Sequence, residues 1–219
     1  MSFVSQIAWL VKRELRAESR QPRLIATAFL LALATVLLLA FGAEKPSADL
    51  APTALWVGMT LAAVVAASDL YRSEHQEATL DVLLAGPMKP AALFVAKAAV
   101  LWFHLALIAA VNLLACALLF DVSIVGSGWL LAAILLAATA GLSLLASLLG
   151  AQMGGSTSDL VVALAMMPLA VPQVIAASRA TAALFGPGPP PVTWLGFLLG
   201  FDLLLAVVGL WIFEPLVRK

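Results

Sequence analysis

The stretch AALFVAKAAVLWFHLALIAAVNLLACALLF, residues 91–120, indicates the class of protein to which this chain belongs. Its only formally charged residue is Lys97. A helix needs about 20 mostly apolar residues to cross roughly 30 Å of hydrocarbon, so this stretch can begin in the cytoplasm and still span a membrane. The whole chain is 63% apolar and 11% charged, against roughly half and a quarter in soluble proteins. The sequence therefore predicts an integral membrane protein.

Five further stretches have the length and the apolar composition of a membrane span. Together with the first they predict an all-α, polytopic membrane protein with six transmembrane helices. The predicted spans are residues 24–42, 50–70, 91–120, 128–152, 159–180 and 192–213. Residues 24–219 are accordingly expected to form one six-helix membrane domain.

Residues 1–23 precede the first span and predict an amphipathic helix that lies in the membrane interface on the cytoplasmic side. Its apolar residues fall on one helical face, and its basic residues gather elsewhere. Trp9 would sit at headgroup depth, and Pro22 would turn the chain into the first span. A solvated basic tail is the alternative. The apolar face is Phe3, Ile7, Leu10, Val11 and Leu15, and the basic residues are Lys12, Arg13, Arg16 and Arg20.

The basic residues are distributed unevenly between the two ends of the predicted spans. If the amino terminus is cytoplasmic, only Lys45 and Arg179 of the 12 basic residues lie outside. Cytoplasmic segments of membrane proteins carry such an excess of Lys and Arg, so we expect both termini to be cytoplasmic. Since topology accounts for the basic residues, no nucleic-acid partner is expected.

A polar hairpin, residues 71–90, joins the second and third predicted spans on the cytoplasmic side. Its acidic residues recur at helical spacing beside an apolar stripe, and two prolines end the turn. We predict a short amphipathic helix beneath the membrane, with an ordinary solvated loop as the alternative. Exposed leucines on so small an element favour docking onto a partner or onto the bilayer. The acidic residues are Glu74, Glu77 and Asp81, the stripe is Leu80, Leu83 and Leu84, and the prolines are Pro87 and Pro90.

The chain contains no motif typical of a catalytic or metal site. There is no GxxxxGK[ST] phosphate loop, no HExxH, no GxSxG and no metal-spaced Cys/His cluster. We therefore expect no metal site and no enzyme activity, and if ATP drives this protein, another chain must hydrolyse it. The lone Cys116 is interpreted as a small core residue.

The hairpin resembles the coupling helix of type-2 ABC exporter permeases, which inserts into a groove of the ATPase subunit. APTALWVG at 51–58 and MMPLAVPQVI at 166–175 narrow the resemblance to the CcmB family, the haem exporter B permeases of cytochrome c maturation. The resemblance covers almost the whole chain. The residues that carry it are Glu77, Thr79, Leu80, Leu83, Leu84 and Pro87 of the hairpin, and Lys97 in the next span.

The resemblance implies a permease subunit in the bacterial inner membrane, with the hairpin as its ATPase-coupling element. A CcmA-like subunit would bind and hydrolyse ATP, and two copies of this chain would form a homodimer. A CcmC-like subunit would hold haem, beside a CcmD-like small subunit, and the complex would release the haem-loaded CcmE-like chaperone. A generic exporter of lipid, drug or polysaccharide, or a membrane scaffold that transports nothing, are the alternatives. The coupling residues are Glu74, Glu77, Thr79, Leu80, Asp81, Leu83, Leu84 and Pro87.

Some polar residues and prolines lie inside the predicted spans. Asp202 should face protein or water, or be protonated, and His104 and Asn112 are candidate hydrogen-bond partners, with either a structural or a transport role. Pro168 and Pro172 should bend or break the fifth span. No axial haem bond is expected from this chain, whose candidate ligands are chiefly His75, His104 and Cys116.

Overall fold

The computed structural model describes residues 3–20, 23–71, 89–122, 128–151, 159–185 and 190–217. Within these ranges the chain forms seven α-helices and no β-strand. The helices are α1 Phe3–Arg20, α2 Arg23–Gly42, α3 Ala51–Asp69, α4 Pro90–Leu119, α5 Gly128–Gly150, α6 Asp159–Phe185 and α7 Pro191–Val217.

Helices α2 to α7 are each long and apolar enough to cross a membrane, which gives six candidate spans within the described ranges. This confirms the predicted all-α, polytopic fold. Two helices continue past the predicted ends of their spans, α6 to Phe185 and α7 to Val217. The sequence interpretation ended the fifth span beside Arg179, whose side chain is exposed. A long basic side chain near the end of a span can reach the interface, so the helix does not have to stop there.

Helices α3 and α5 form the interior of the bundle. In their apolar segments 72% and 67% of the residues are buried, against 22% in α2 and 17% in α7. Helix α3 packs against α2, α4, α5 and α6. Small residues let helix backbones approach closely in membranes, and a Cβ at Gly150 of α5 would lie 2.6 Å from the carbonyl oxygen of Ala67 on α3. The contact between α3 and α5 therefore depends on the absence of a side chain at Gly150.

Helix α1 packs against α4 at the end of the bundle where α2 begins and α7 ends, which we call the terminal face. Leu10 is fully buried there, and Ile7 and Val11 pack against the core. Phe3 and Trp9 remain 38% and 48% exposed. The apolar face of α1 is therefore divided between the bundle and its surroundings, and a position in the membrane interface stays a prediction.

Candidate functional site

The predicted ATPase-coupling residues lie outside the described residues. The structure describes both ends of the segment that contains them, Tyr71 after α3 and Lys89 before α4. The contacts that hold these two ends in place are therefore the part of the predicted coupling site that the structure describes. The predicted coupling residues outside the described ranges are Glu74, Glu77, Thr79, Leu80, Asp81, Leu83, Leu84 and Pro87.

Lys97 is a buried charge at the terminal face and joins three helices. Its side chain on α4 is only 3% exposed. The ammonium Nζ donates hydrogen bonds to Glu14 Oε2 on α1 and to the carbonyl oxygen of Leu70, each at 2.9 Å. It also lies 5.3 Å from the centre of the Tyr71 ring, within the range of a cation–π contact. A buried ammonium requires a paired acceptor, and Lys97 uses its bonds to fix the residues that open the hairpin.

Glu14 is the anionic partner of Lys97 and is itself held by two cations. Arg13 Nη2 lies 2.7 Å from Glu14 Oε1, on the opposite oxygen from the one that Lys97 contacts. Burial of Glu14 acts to raise its pKa, but the charges and hydrogen bonds of Lys97 and Arg13 outweigh burial and hold the pKa below its ordinary value. Glu14 is therefore ionised at neutral pH and its pair with Lys97 is charged.

Helix α1 also contacts the second end of the hairpin. The backbone N–H of Lys89 donates to Gln6 Oε1 at 3.2 Å. We call Gln6, Glu14 and Lys97 the α1 clamp, because they connect α1 to both ends of the segment 72–88. The sequence interpretation missed Gln6 and Glu14. Their contacts with Lys89 and Lys97 each join residues 83 positions apart, and helical periodicity predicts contacts only between residues that are close in sequence.

Tyr71 extends the same network into the bundle. Its hydroxyl lies 3.0 Å from Ser147 Oγ on α5, and Ser147 Oγ donates to the carbonyl oxygen of Phe94 at 3.4 Å. The Tyr71 and Phe94 rings both pack on Phe213 of α7, with centroid distances of 6.2 and 5.3 Å. Tyr71, the second residue after α3, is therefore tied to three other spans at the terminal face.

A second polar cluster lies at the middle of the bundle, where α5, α6 and α7 meet. Gln173 Nε2 donates to Asp202 Oδ1 at 2.8 Å and lies 3.5 and 3.4 Å from the carbonyl oxygens of Ala137 and Ala138. A Cβ at Gly141 would collide with both Gln173 Nε2 and Asp202 Oδ1. We call Gly141, Gln173 and Asp202 the polar node. Gln173 stands in the quoted stretch MMPLAVPQVI, but sequence reasoning did not pair it with Asp202.

Both polar clusters lie in the part of the chain that matches a known protein family. A sequence model of the CcmB protein family matches residues 5–218, nearly the whole chain. The chain belongs to the CcmB family. This confirms the resemblance on which the sequence interpretation depended, and it makes the chain a haem-exporter ABC permease subunit of cytochrome c maturation. None of the curated proteins matches the chain.

The other intramembrane polar residues of this CcmB-family permease do not join the polar node. Asn112 Nδ2 donates to the carbonyl oxygen of Ile108 in its own helix at 2.9 Å. His104 is buried on α4 and meets the Phe103 ring edge-on, with centroids 5.8 Å apart. Cys116 is buried in the core. Within the described ranges, no group of three or more His, Cys, Asp or Glu is placed to hold a metal ion.

Pro168 and Pro172 lie inside α6, which is helical through both positions, so the prolines do not break the span. An apolar groove of about 220 Å³ lies between this part of α6 and α3. Several groove residues are exposed, among them Val171 and Ile175 at 49% and 50%. The surface of α3 and α6 around the groove is therefore mostly apolar and lies beside the two prolines. Its lining is Val57, Thr60, Leu61, Met167, Val171, Val174 and Ile175.

Proposed function

We propose that this CcmB-family permease couples ATP hydrolysis on a separate CcmA-like subunit to haem delivery, through the hairpin 71–90 and the α1 clamp. The observation that supports this is the attachment of α1 to both ends of the segment 72–88, through Lys97 and Gln6. A solvated loop between two spans needs no such attachment. A loop that receives force from a partner needs anchored ends, because a loose loop would absorb the movement.

The proposed transmission starts at the hairpin and reaches the spans at two points. A displacement of the segment 72–88 would act on Leu70 and Tyr71 at the end of α3 and on Lys89 at the start of α4. Lys97 binds α1, α3 and α4 to one another, so these helices would move together at the terminal face. Small displacements become discrete switches where packed helices have two arrangements.

The remaining parts of the proposal concern assembly. Two copies of the permease would pair with two CcmA-like ATPases in the bacterial inner membrane, with both termini and the hairpin in the cytoplasm. A CcmC-like subunit would hold haem beside a CcmD-like subunit, and the cycle would release the haem-loaded CcmE-like chaperone. ATP and haem would both be bound by partners, not by this chain.

The test of the proposal is docking of the ATPase. We expect the double substitution Glu77→Lys with Leu80→Asp to leave membrane insertion unchanged and to abolish co-purification of the CcmA-like subunit in mild detergent. The matched control is the conservative pair Glu77→Gln with Leu80→Met, which keeps the size and apolarity of the surface and should retain the ATPase. Full co-purification with the charge-reversed hairpin would contradict the proposal.

A further inference from the structure

The polar node contains a carboxyl group that the proposed coupling mechanism does not use. Asp202 is 9% exposed and Gln173 is 1% exposed, and both lie near the middle of spans. Gly141 provides the space, since any side chain at this position would occupy the volume that the other two side chains fill. The packing of α5, α6 and α7 is therefore built around this carboxyl–amide pair.

No positive charge in the described part of the chain balances Asp202. The helices that pack against α7 are α4, α5 and α6, and α5 has no titratable residue. Among the side chains that the structure describes, no basic group lies within the 4.0 Å that defines an ion pair with this carboxyl. The titratable residues of α4, α6 and α7 besides Asp202 are Lys97, His104, Cys116, Asp159, Arg179 and Glu214.

An unpaired ionised carboxylate at this depth is unfavourable. Translocon-based scales assign about 3 kcal/mol to an ionised Asp at the centre of a span. A single amide donor on Oδ1 does not replace the hydration that the ion loses. A neutral carboxylic acid avoids the cost of burying a charge, because it needs only one hydrogen-bond donor for its carbonyl oxygen and one acceptor for its O–H.

The Gln173 side chain offers both groups. Its Nε2 already donates to Asp202, while its Oε1 is buried and has no hydrogen-bond partner. An O–H on Asp202 would supply the donor that Oε1 lacks after a small rotation within the space left by Gly141. An ionised Asp202 has no proton to give, and it leaves the buried Oε1 unsatisfied at about 1–3 kcal/mol.

We propose that the polar node is a proton-binding site in the membrane. Asp202 is a neutral carboxylic acid when α5, α6 and α7 are packed as here, and it gives its proton to the water that enters when these helices separate. Closure of the three helices then takes up one proton, and opening releases it. The site does not rest on the proposed coupling to an ATPase, because it depends only on contacts within this chain.

The first test is the protonation state itself. Infrared difference spectra between the full-length wild type and Asp202→Asn in lipid nanodiscs, at neutral pH, should show loss of one carboxylic-acid C=O band. Asp202→Asn keeps the acceptor for Gln173 and nearly the same shape, so the bundle should stay folded. A difference spectrum that contains only carboxylate bands would overturn the proposal.

The second test links the proton to the packing of α6 and α7. Spin labels at the exposed positions Val171→Cys and Leu203→Cys, in a Cys116→Ser background, report the distance between the two helices. Raising the pH from neutral to mildly alkaline should populate longer distances in the wild type, while Asp202→Asn keeps the short distance at both pH values. Thr139→Val, which loses only hydrogen bonds to its own helix, should respond as the wild type does. A pH response that survives Asp202→Asn, or none in the wild type, would overturn the proposal.

Discussion

Removal of the ammonium group of Lys97 should destabilise the protein. Lys97→Met keeps the length and apolar stem but loses the hydrogen bonds to Glu14 Oε2 and to the Leu70 carbonyl. Hydrogen bonds to charged groups contribute about 1.5–3 kcal/mol each, and a carboxylate stranded in a buried site adds to the loss. Arg13 still neutralises Glu14, whose side chain is 16% exposed, and this lowers the penalty. We expect a loss of about 2–4 kcal/mol in the free energy of unfolding.

A double-mutant cycle separates the pair from its surroundings. Lys97→Met, Glu14→Gln and the double variant are unfolded by denaturant in mixed micelles, with helix content as the signal. The losses in unfolding free energy of the two single variants should together exceed the loss in the double variant by about 1–3 kcal/mol. The reason is that the second substitution removes a charge that the first has left without its partner. The matched control is Lys12→Met, which removes an exposed cation from α1, the helix of Glu14. Its unfolding free energy should be within about 0.5 kcal/mol of the wild-type value. Additivity of Lys97→Met and Glu14→Gln within about 0.5 kcal/mol would refute the clamp.

Further predictions concern pH, packing and α1. The pKa of Glu14 is lowered on folding. The stabilising contribution of Glu14 is therefore present above its unfolded pKa and is lost as the pH falls through its folded pKa. Thermal unfolding measured from mildly acidic to strongly acidic pH should show this loss in the wild type but not in Glu14→Gln. Gly150→Ala should cost about 1–3 kcal/mol by overpacking against the Ala67 carbonyl, whereas Gly42→Ala, which meets nothing within 4 Å, should be neutral in the same unfolding assay. Deleting residues 2–18 should leave the spans inserted, as cysteine accessibility would show, while co-purification of the ATPase falls.

The spans could be predicted because their signal is local. A helix that crosses the bilayer needs about 20 consecutive apolar residues, whatever the rest of the chain does. The interior of each span was therefore placed correctly. Their ends were less certain, since a residue such as Arg179 is compatible with either a helix or a loop. Arg179 lies exposed inside α6, which continues to Phe185. Whether a helix continues past such a residue depends on the folded bundle and not on the local sequence.

The polar clusters could be predicted only in part, because they join residues that are distant in sequence. Asp202 stood out as a charge within an apolar run, but its partner Gln173 lies 29 residues away on another helix. Lys97 was recognised through the family resemblance, but its partner Glu14 on α1 was not singled out from the sequence. A single sequence shows that a buried charge needs a partner, and the fold decides which residue supplies it.

Under the proposed coupling mechanism, polar contacts between spans would determine how movement travels in this permease. Lipid provides no hydrophobic driving force between helices, so close van der Waals packing and interhelical hydrogen bonds hold them together. The hydrogen bonds identify specific pairs of helices that would move as one. Helix α3 has such bonds at both ends. At the terminal face the hydroxyl of Tyr71, two residues after α3, lies 3.0 Å from Ser147 Oγ of α5. Near the opposite end Trp56 Nε1 donates to Thr181 Oγ1 of α6 at 2.9 Å. A displacement that enters α3 from the hairpin would therefore reach α6 across the whole membrane, and with it Gln173 of the polar node.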